Sequence, residues 1–197
     1  MRCGVLFSGG KDSALAALLL DEFYDVVLLT VDFGIVDTTD IISRAAEGLG
    51  FEFQIVTVDS SVAFQAIDIM VADGYPRNGI QFLHNEIIKA IPQKIDIDAI
   101  ADGTRRDDRV PIISRSEAQH IEDTYDIEYI APLKGFGRDA IDAMVETRLQ
   151  IIQGQRDEID CADYEIELRE LIRQEYSDDK VQEIFPDHTQ TYVQGYG

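Results

Sequence analysis

Residues 3–20 read CGVLFSGGKDSALAALLL. Cys3 to Phe7 is a short apolar run that suits a buried strand, and an Ala/Leu-rich helix follows from about Asp12 to Glu22. Between them stands the polar turn Ser8-Gly9-Gly10-Lys11-Asp12-Ser13. Its glycines let the backbone approach an anion closely, and the N–H groups and dipole of the following helix then attract phosphate. Ser8 and Ser13 add hydroxyl donors. A Walker A loop is excluded, because it needs four residues between its first glycine and Gly-Lys-Ser/Thr. A nucleophile elbow is excluded too, because the order is Phe-Ser-Gly-Gly rather than Gly-x-Ser-x-Gly.

Further along, strands alternate with helices. Asp25 to Asp32 (DVVLLTVD) is apolar and β-branched inside, as a strand covered on both faces should be. A helix capped at Thr38 or Thr39 and stopped at Gly50 follows, then a strand over Phe51 to Val58 and a helix from Ser60 ending at Gly74. After the loop Tyr75-Pro76-Arg77-Asn78-Gly79 the pattern gives a helix over Ile80 to Ile91. A strand over Asp98 to Asp102, a helix over Ser116 to Tyr125 and a strand over Glu128 to Ala131 complete it. This order predicts an α/β fold, a doubly wound parallel sheet of five strands. From Asp139 onward the chain reads as a charged helical segment ending in a loop-like tail, Phe185 to Gly197. The expected organisation is therefore an α/β domain over 1–138 and a helical extension over 139–197 packed on it.

Ligands in such sheets sit at the carboxyl ends of the strands. The polar clusters Ser8–Ser13, Asp32–Gly34, Gly74–Gly79, Asp102–Arg109 and Pro132–Arg138 fall there. After the fourth strand, Gly103-Thr104-Arg105-Arg106-Asp107-Asp108 offers arginines beside carboxylates, suited to a triphosphate and Mg²⁺. Asp12, Asp107 and Asp108 are the candidate metal ligands, and Asp12, Arg105, Asp107 and Lys134 the candidate catalytic groups. The nucleotide-contacting candidates are Ser8, Gly9, Gly10, Lys11, Asp12, Ser13, Asp32, Arg77, Asn78, Gly103, Thr104 and Arg138. His84, one turn beyond Ile80, reads as a half-buried packing residue, and Cys161 as inert on a charged helix.

The 197 residues carry 38 acidic against 17 basic side chains, a formal charge of −21. A 45% apolar content makes the chain globular despite that charge. A surface this acidic repels phosphate backbones, which argues against nucleic-acid binding by charge alone. The 24 Asp against 5 Lys suit a high-salt interior, where screening blunts self-repulsion. With two cysteines, Cys3 and Cys161, neither a disulfide framework nor a four-cysteine zinc site can be built. The expectation is a cytoplasmic protein with no membrane span.

The Ser-Gly-Gly-Lys-Asp-Ser loop after a first strand resembles the pyrophosphate loop of the N-type ATP pyrophosphatases. These include asparagine, GMP and NAD synthetases and the tRNA-thiolating and lysidine-forming enzymes. The segment GYPRNGIQFLHNEI followed by ADGTRRDDR is similar in layout to the 7-cyano-7-deazaguanine synthases. Taken whole, the chain is most similar to a small archaeal family of pyrophosphate-loop ATPases named in connection with tRNA 2-thiouridine modification. The resemblance implies a HUP-type, adenine nucleotide alpha hydrolase-like fold, with ATP and Mg²⁺ as cofactors. It implies adenylation of a substrate with release of AMP and pyrophosphate, ahead of attack by a sulfur or nitrogen nucleophile. The alternative is a non-catalytic ATP- or AMP-binding regulatory or partner subunit. Relatives carry a four-cysteine zinc site, a cysteine pair or iron–sulfur cluster, or a glutaminase, and none of these is written in this sequence. The implied partners are therefore ATP, a tRNA or small-molecule substrate, and a separate nucleophile-donating or RNA-binding subunit, with a homodimer as a further option.

Overall fold

The computed structural model describes residues 1–155, 159, 162–186 and 189–197. Its centre is a five-stranded parallel sheet in the order β3-β2-β1-β4-β5. The strands are β1 (Arg2–Leu6), β2 (Asp25–Asp32), β3 (Glu52–Thr57), β4 (Ala99–Ala101) and β5 (Glu128–Ile130). The first three helices are α1 (Lys11–Leu20), α2 (Thr39–Leu49) and α3 (Ser60–Asp73). After them come α4 (Arg77–Ala90), α5 (Arg115–Tyr125), α6 (Arg138–Arg148), α7 (Glu165–Glu175) and α8 (Asp178–Ile184).

Two cores form because successive residues of a strand point to opposite faces. Cys3, Val5, Val26, Leu28, Ala99 and Ala101 face one way and pack with α1, α2 and α6. Val27, Leu29 and Ile100 face the other way and pack with α3, α4, α7 and α8. Helices thus cover both faces of the sheet, which makes it doubly wound. Apolar runs such as VVLL, residues 26–29, are the sequence consequence, since neither face meets water.

Helix ends follow local chemistry. Asp59 caps α3 by accepting the Ser61 N–H at 2.8 Å, and left-handed Gly50 and Gly74 end α2 and α3 where the sequence places them. Ser114 and Glu117 form a reciprocal capping box at the start of α5. α4 begins at Arg77 rather than Ile80, and Pro92 sits in a short 3-10 turn that ends it.

The region beyond Asp139 departs from expectation. It is not helical throughout, and its end is not a loop. Leu149–Gln155 (β6) and Thr189–Tyr196 (β7) pair antiparallel as a second, two-stranded sheet. Ile151 pairs with Val193 and Gln155 with Thr189, although α7 and α8 lie between the two strands in the chain. Tyr192 and Val193 are buried in the same core as α1 and α2. The 139–197 segment is therefore mixed helix and strand among its described residues, and it joins one core of the main sheet directly.

Candidate functional site

The sheet order reverses between β1 and β4, and in open α/β sheets the crevice at such a switch point takes the ligand. Here the Ser8–Ser13 loop leaves β1 and the Asp102–Asp108 loop leaves β4. Between them lies a cavity of about 310 Å³. Phe7, Ser8, Asp12 and Ser13 form one side, and Asp102, Gly103, Thr104 and Asp108 the other. Leu29, Thr30 and Val31 of β2 and Ile80, His84 and Ile87 of α4 line its walls, and residues 162–165 close it from the start of α7.

The loop is held by its own side chains and by the distant strand β7. The Ser13 hydroxyl donates to the Gly10 carbonyl at 3.0 Å, and Val193 N–H donates to the Gly9 carbonyl at 2.8 Å. Gly9 sits at φ +78° with the Tyr192 ring beside it, a left-handed conformation that favours glycine. The Lys11 backbone N–H is taken by the Thr191 hydroxyl at 3.2 Å. The N–H groups of Asp12 and Ser13 have no protein acceptor among the described residues. They are first-turn donors at the positive end of α1, the arrangement that binds anions.

Gly103 keeps that space open. A Cβ at this position would stand 2.7 Å from the Ser13 nitrogen and 2.8 Å from the Asp12 carbonyl carbon. Any other residue would push the two loops apart.

Charge is distributed unevenly around the opening. Asp12 accepts from Lys11 Nζ at 2.6 Å and stands 3.7 Å from the Arg105 guanidinium. Arg105 also binds Asp108 at 3.1 Å and lies 3.8 Å from Asp107. Burial opposes the charge on Arg105, but Asp12, Asp108 and Asp107 together hold it firmly protonated. Asp12 and Asp108 border the cavity; Asp107 does not. Among the described residues no group of three His, Cys, Asp or Glu side chains converges as a ready-made metal centre. Two carboxylates beside open backbone N–H donors nevertheless suit Mg²⁺, which is usually held by one or two carboxylates plus substrate phosphates.

The other expected residues lie further out. Arg77 and Asn78 are exposed and line a neighbouring cleft with Tyr75, Gln81 and Arg109, which meets the main cavity at Val110. Asn78 does not cap α4; it donates to Asp73 at 2.7 Å. Asp32 accepts the Gly34 N–H at 2.8 Å and lines a separate recess over α2. Lys134 stacks 5.8 Å above the Tyr129 ring, and exposed Arg138 faces Asp142 at 3.9 Å. Cys161 and His188 lie outside the described residues. Cys3 is fully buried, and its thiol is pushed up to about 12 by burial and by the nearby Glu128 charge, so it is inert as a nucleophile.

Sequence reasoning missed a buried polar cluster at the cavity wall. Asp102, 2% exposed, accepts from Thr104 N–H at 2.9 Å and Tyr129 OH at 2.8 Å, and pairs with His84 Nε2 at 3.0 Å. Burial works against its charge, yet the donors from His84 and Thr104 outweigh it and bring Asp102 down to about 2. His84 is 3% exposed rather than half-buried. The available signal was its position on the apolar Ile80–Ile87 face of α4, opposite an aspartate that ends a strand.

A second buried carboxylate fixes the wall next door. Glu167 of α7 accepts the N–H groups of Phe33 at 3.0 Å and Ile35 at 3.1 Å, so α7 holds the loop after β2.

The chain is similar to several known proteins. A protein of Methanocaldococcus jannaschii, named Uncharacterized protein MJ0690, is 35% identical over 192 residues, covering 97% of this chain and 94% of that protein. A crystal structure from the same organism, titled as a predicted subunit of tRNA methyltransferase, superposes with a TM-score of 0.90 at 34% identity. It covers 100% of this chain and 98% of that one. A U34-tRNA thiolase, NcsA of Methanococcus maripaludis, aligns at a TM-score of 0.47 and 17% identity over 93% of this chain and 69% of that one. Over residues 1–195 the sequence matches the family described as a family of unknown function (DUF7411), and the chain belongs to that family.

Proposed function

We propose that this protein is a pyrophosphate-loop ATP pyrophosphatase. It binds ATP at the Ser8–Ser13 loop and adenylates a second substrate, releasing pyrophosphate, before a sulfur or nitrogen nucleophile displaces AMP. The observation that carries this reading is the pair of unpartnered N–H groups on Asp12 and Ser13, opening under Gly103 into a cavity large enough for a small ligand. The leaving pyrophosphate gains negative charge, which Lys11, Arg105 and a cation beside Asp12 and Asp108 would stabilise. Mg²⁺, when bound, supplies Lewis-acid stabilisation of that charge; Asp107 orients Arg105 from outside the cavity, with Lys134 behind Tyr129.

A role within a tRNA-modifying assembly is supported by the relative titled a predicted subunit of tRNA methyltransferase. A second reading, a nucleotide-binding partner subunit without chemistry, is favoured by that relative's description as a subunit and by Thr191 occupying one loop donor. Calorimetric titration with Mg·ATP, followed by a pyrophosphate-release assay with candidate acceptors, tests both. Binding with release supports the enzyme, binding without release under every acceptor supports the partner subunit, and no binding removes the nucleotide reading.

A further inference from the structure

The cavity carries one group that nucleotide binding at the loop leaves unused. Both oxygens of Asp102 are committed, one to Thr104 and the other to His84 and Tyr129. His84 lines the cavity, and its Nδ1 has no hydrogen-bond partner although it is buried. A buried unpaired nitrogen costs about 1–3 kcal/mol, a cost that a hydrogen-bonding ligand in the cavity would relieve. Because ionised Asp102 can only accept, Nε2 carries the proton it donates there, and the hydrogen-bond network assigns the neutral ring a bare, accepting Nδ1.

The surroundings narrow the partner. The titratable groups facing the cavity are Asp12, Asp102, Asp108, Asp163, Tyr164 and Glu165, with Tyr129 behind Asp102. Four carboxylates besides Asp102, among hydroxyl and apolar side chains, disfavour an anionic second substrate. A neutral N–H or O–H nucleophile is admitted, and it must lose a proton as it attacks.

We propose that His84 is the proton acceptor of this site and serves a neutral, proton-bearing nucleophile, a role that rests on the nucleotide reading above. The nucleophile forms a bond to the α-phosphorus of the bound triphosphate. The bond from that phosphorus to the bridging oxygen breaks, and pyrophosphate leaves with the electron pair. The released proton passes to His84 Nδ1, and Asp102 stabilises the imidazolium through Nε2–H. Asp102 and Tyr129 are positioning residues.

Water is the simplest such nucleophile, so Mg·ATP alone is the probe. Wild type, His84→Gln and Asp102→Asn are compared by calorimetric titration and by AMP formation across about pH 5 to 9, with ring ¹⁵N spectra of the three histidines. In wild type at neutral pH, Nδ1 of His84 is unprotonated and AMP formation falls on the acid side. His84→Gln binds ATP within about threefold of wild type but forms AMP about 100-fold more slowly, without the acid limb. In Asp102→Asn the acid limb moves. A protonated Nδ1 at neutral pH, ATP binding without any AMP from wild type, or equal AMP formation by a folded His84→Gln overturns the role of His84 while leaving nucleotide binding intact. Failure of wild type to bind ATP overturns both readings together.

Discussion

The Thr191 hydroxyl accepts the Lys11 backbone N–H at 3.2 Å across 180 residues of sequence. The last strand is thus fastened onto the first loop. The Val193 N–H to Gly9 carbonyl bond and the Tyr192 hydroxyl on the Ile41 carbonyl reinforce the same attachment. The cost of holding the loop in its glycine-dependent shape is offset by the burial of Tyr192 and Val193. The donors this leaves open to a ligand are the N–H groups of Asp12 and Ser13.

Thr191→Val is therefore expected to cost about 1 kcal/mol of stability through the lost hydrogen bond. ATP affinity should stay within about threefold, because the Lys11 N–H is not one of the donors left for phosphate. Denaturant melts and calorimetry check the pair. A loss of affinity much larger than the loss of stability would place phosphate on the Lys11 N–H.

Asp12→Asn should abolish pyrophosphate release while moving the melting temperature by no more than about 3 °C. Asp12 is partly exposed between Lys11 and Arg105, and such pairs contribute little to folding. Its place at the cavity edge makes its charge matter for a bound cation instead. Wild-type release by this variant would remove Asp12 from the mechanism.

Gly103→Ala should lose both stability and nucleotide binding. The added methyl stands 2.7 Å from the Ser13 nitrogen, against backbone that cannot swing aside. Overpacking of this kind costs about 1–3 kcal/mol, and it fills the space a phosphate would use. Unchanged ATP affinity in a folded Gly103→Ala protein would show that phosphate does not enter there.

Acid stability should depend on Asp102. Its folded value, lowered to about 2 from 3.8, means the native state prefers the ionised form. That contribution is fully present above the unfolded value near pH 4 and is lost as pH falls through about 2. The gap corresponds to roughly 2 kcal/mol. Urea melts at about pH 6, 4 and 3 should show wild type losing more stability on acidification than Asp102→Asn. Parallel acid limbs in the two proteins would contradict this.

The main sheet was legible because its signals are local. The VVLL run of β2, the glycine stops of α2 and α3 and the loop after β1 each announce an element within a few residues. The β6–β7 pair was not legible. Its strands, LQIIQGQ and TQTYVQGY, are rich in Gln, pair over a long separation with two helices between, and lack a tight-turn signal. The site divides the same way. The loop declares itself by spacing, whereas the His84–Asp102 pair joins residues 18 apart through a helix face and a strand end that only tertiary packing aligns. Asp32 was placed by loop position, and Arg77 and Asn78 by loop position and by a resemblance in layout, and loops at one sheet edge open into separate recesses.

The formal charge of −21 bears on any role with RNA. Holding a whole tRNA normally takes a basic surface, because most of the affinity comes from neutralised phosphates and released counterions. This chain has 17 basic residues, and the bonded ones mostly face carboxylates: Lys11 on Asp12, Arg105 on Asp108, Arg169 on Glu165, Arg173 on Glu170 and Asp178, Lys180 on Glu183. Little positive potential is left to track a phosphate backbone. The isolated protein is therefore expected to bind bulk tRNA weakly at moderate salt, with affinity weaker than about 10 µM, in the range of non-specific binding. A basic or RNA-binding partner subunit should then be needed for any action on tRNA, and it would also bring the sulfur-carrying cysteines that this chain lacks. Filter binding of the pure protein to tRNA from the source organism, repeated across a salt series, measures this. Submicromolar affinity that persists as salt rises would mean that a local surface reads RNA by stacking and shape rather than by charge, and no second subunit would be required for capture.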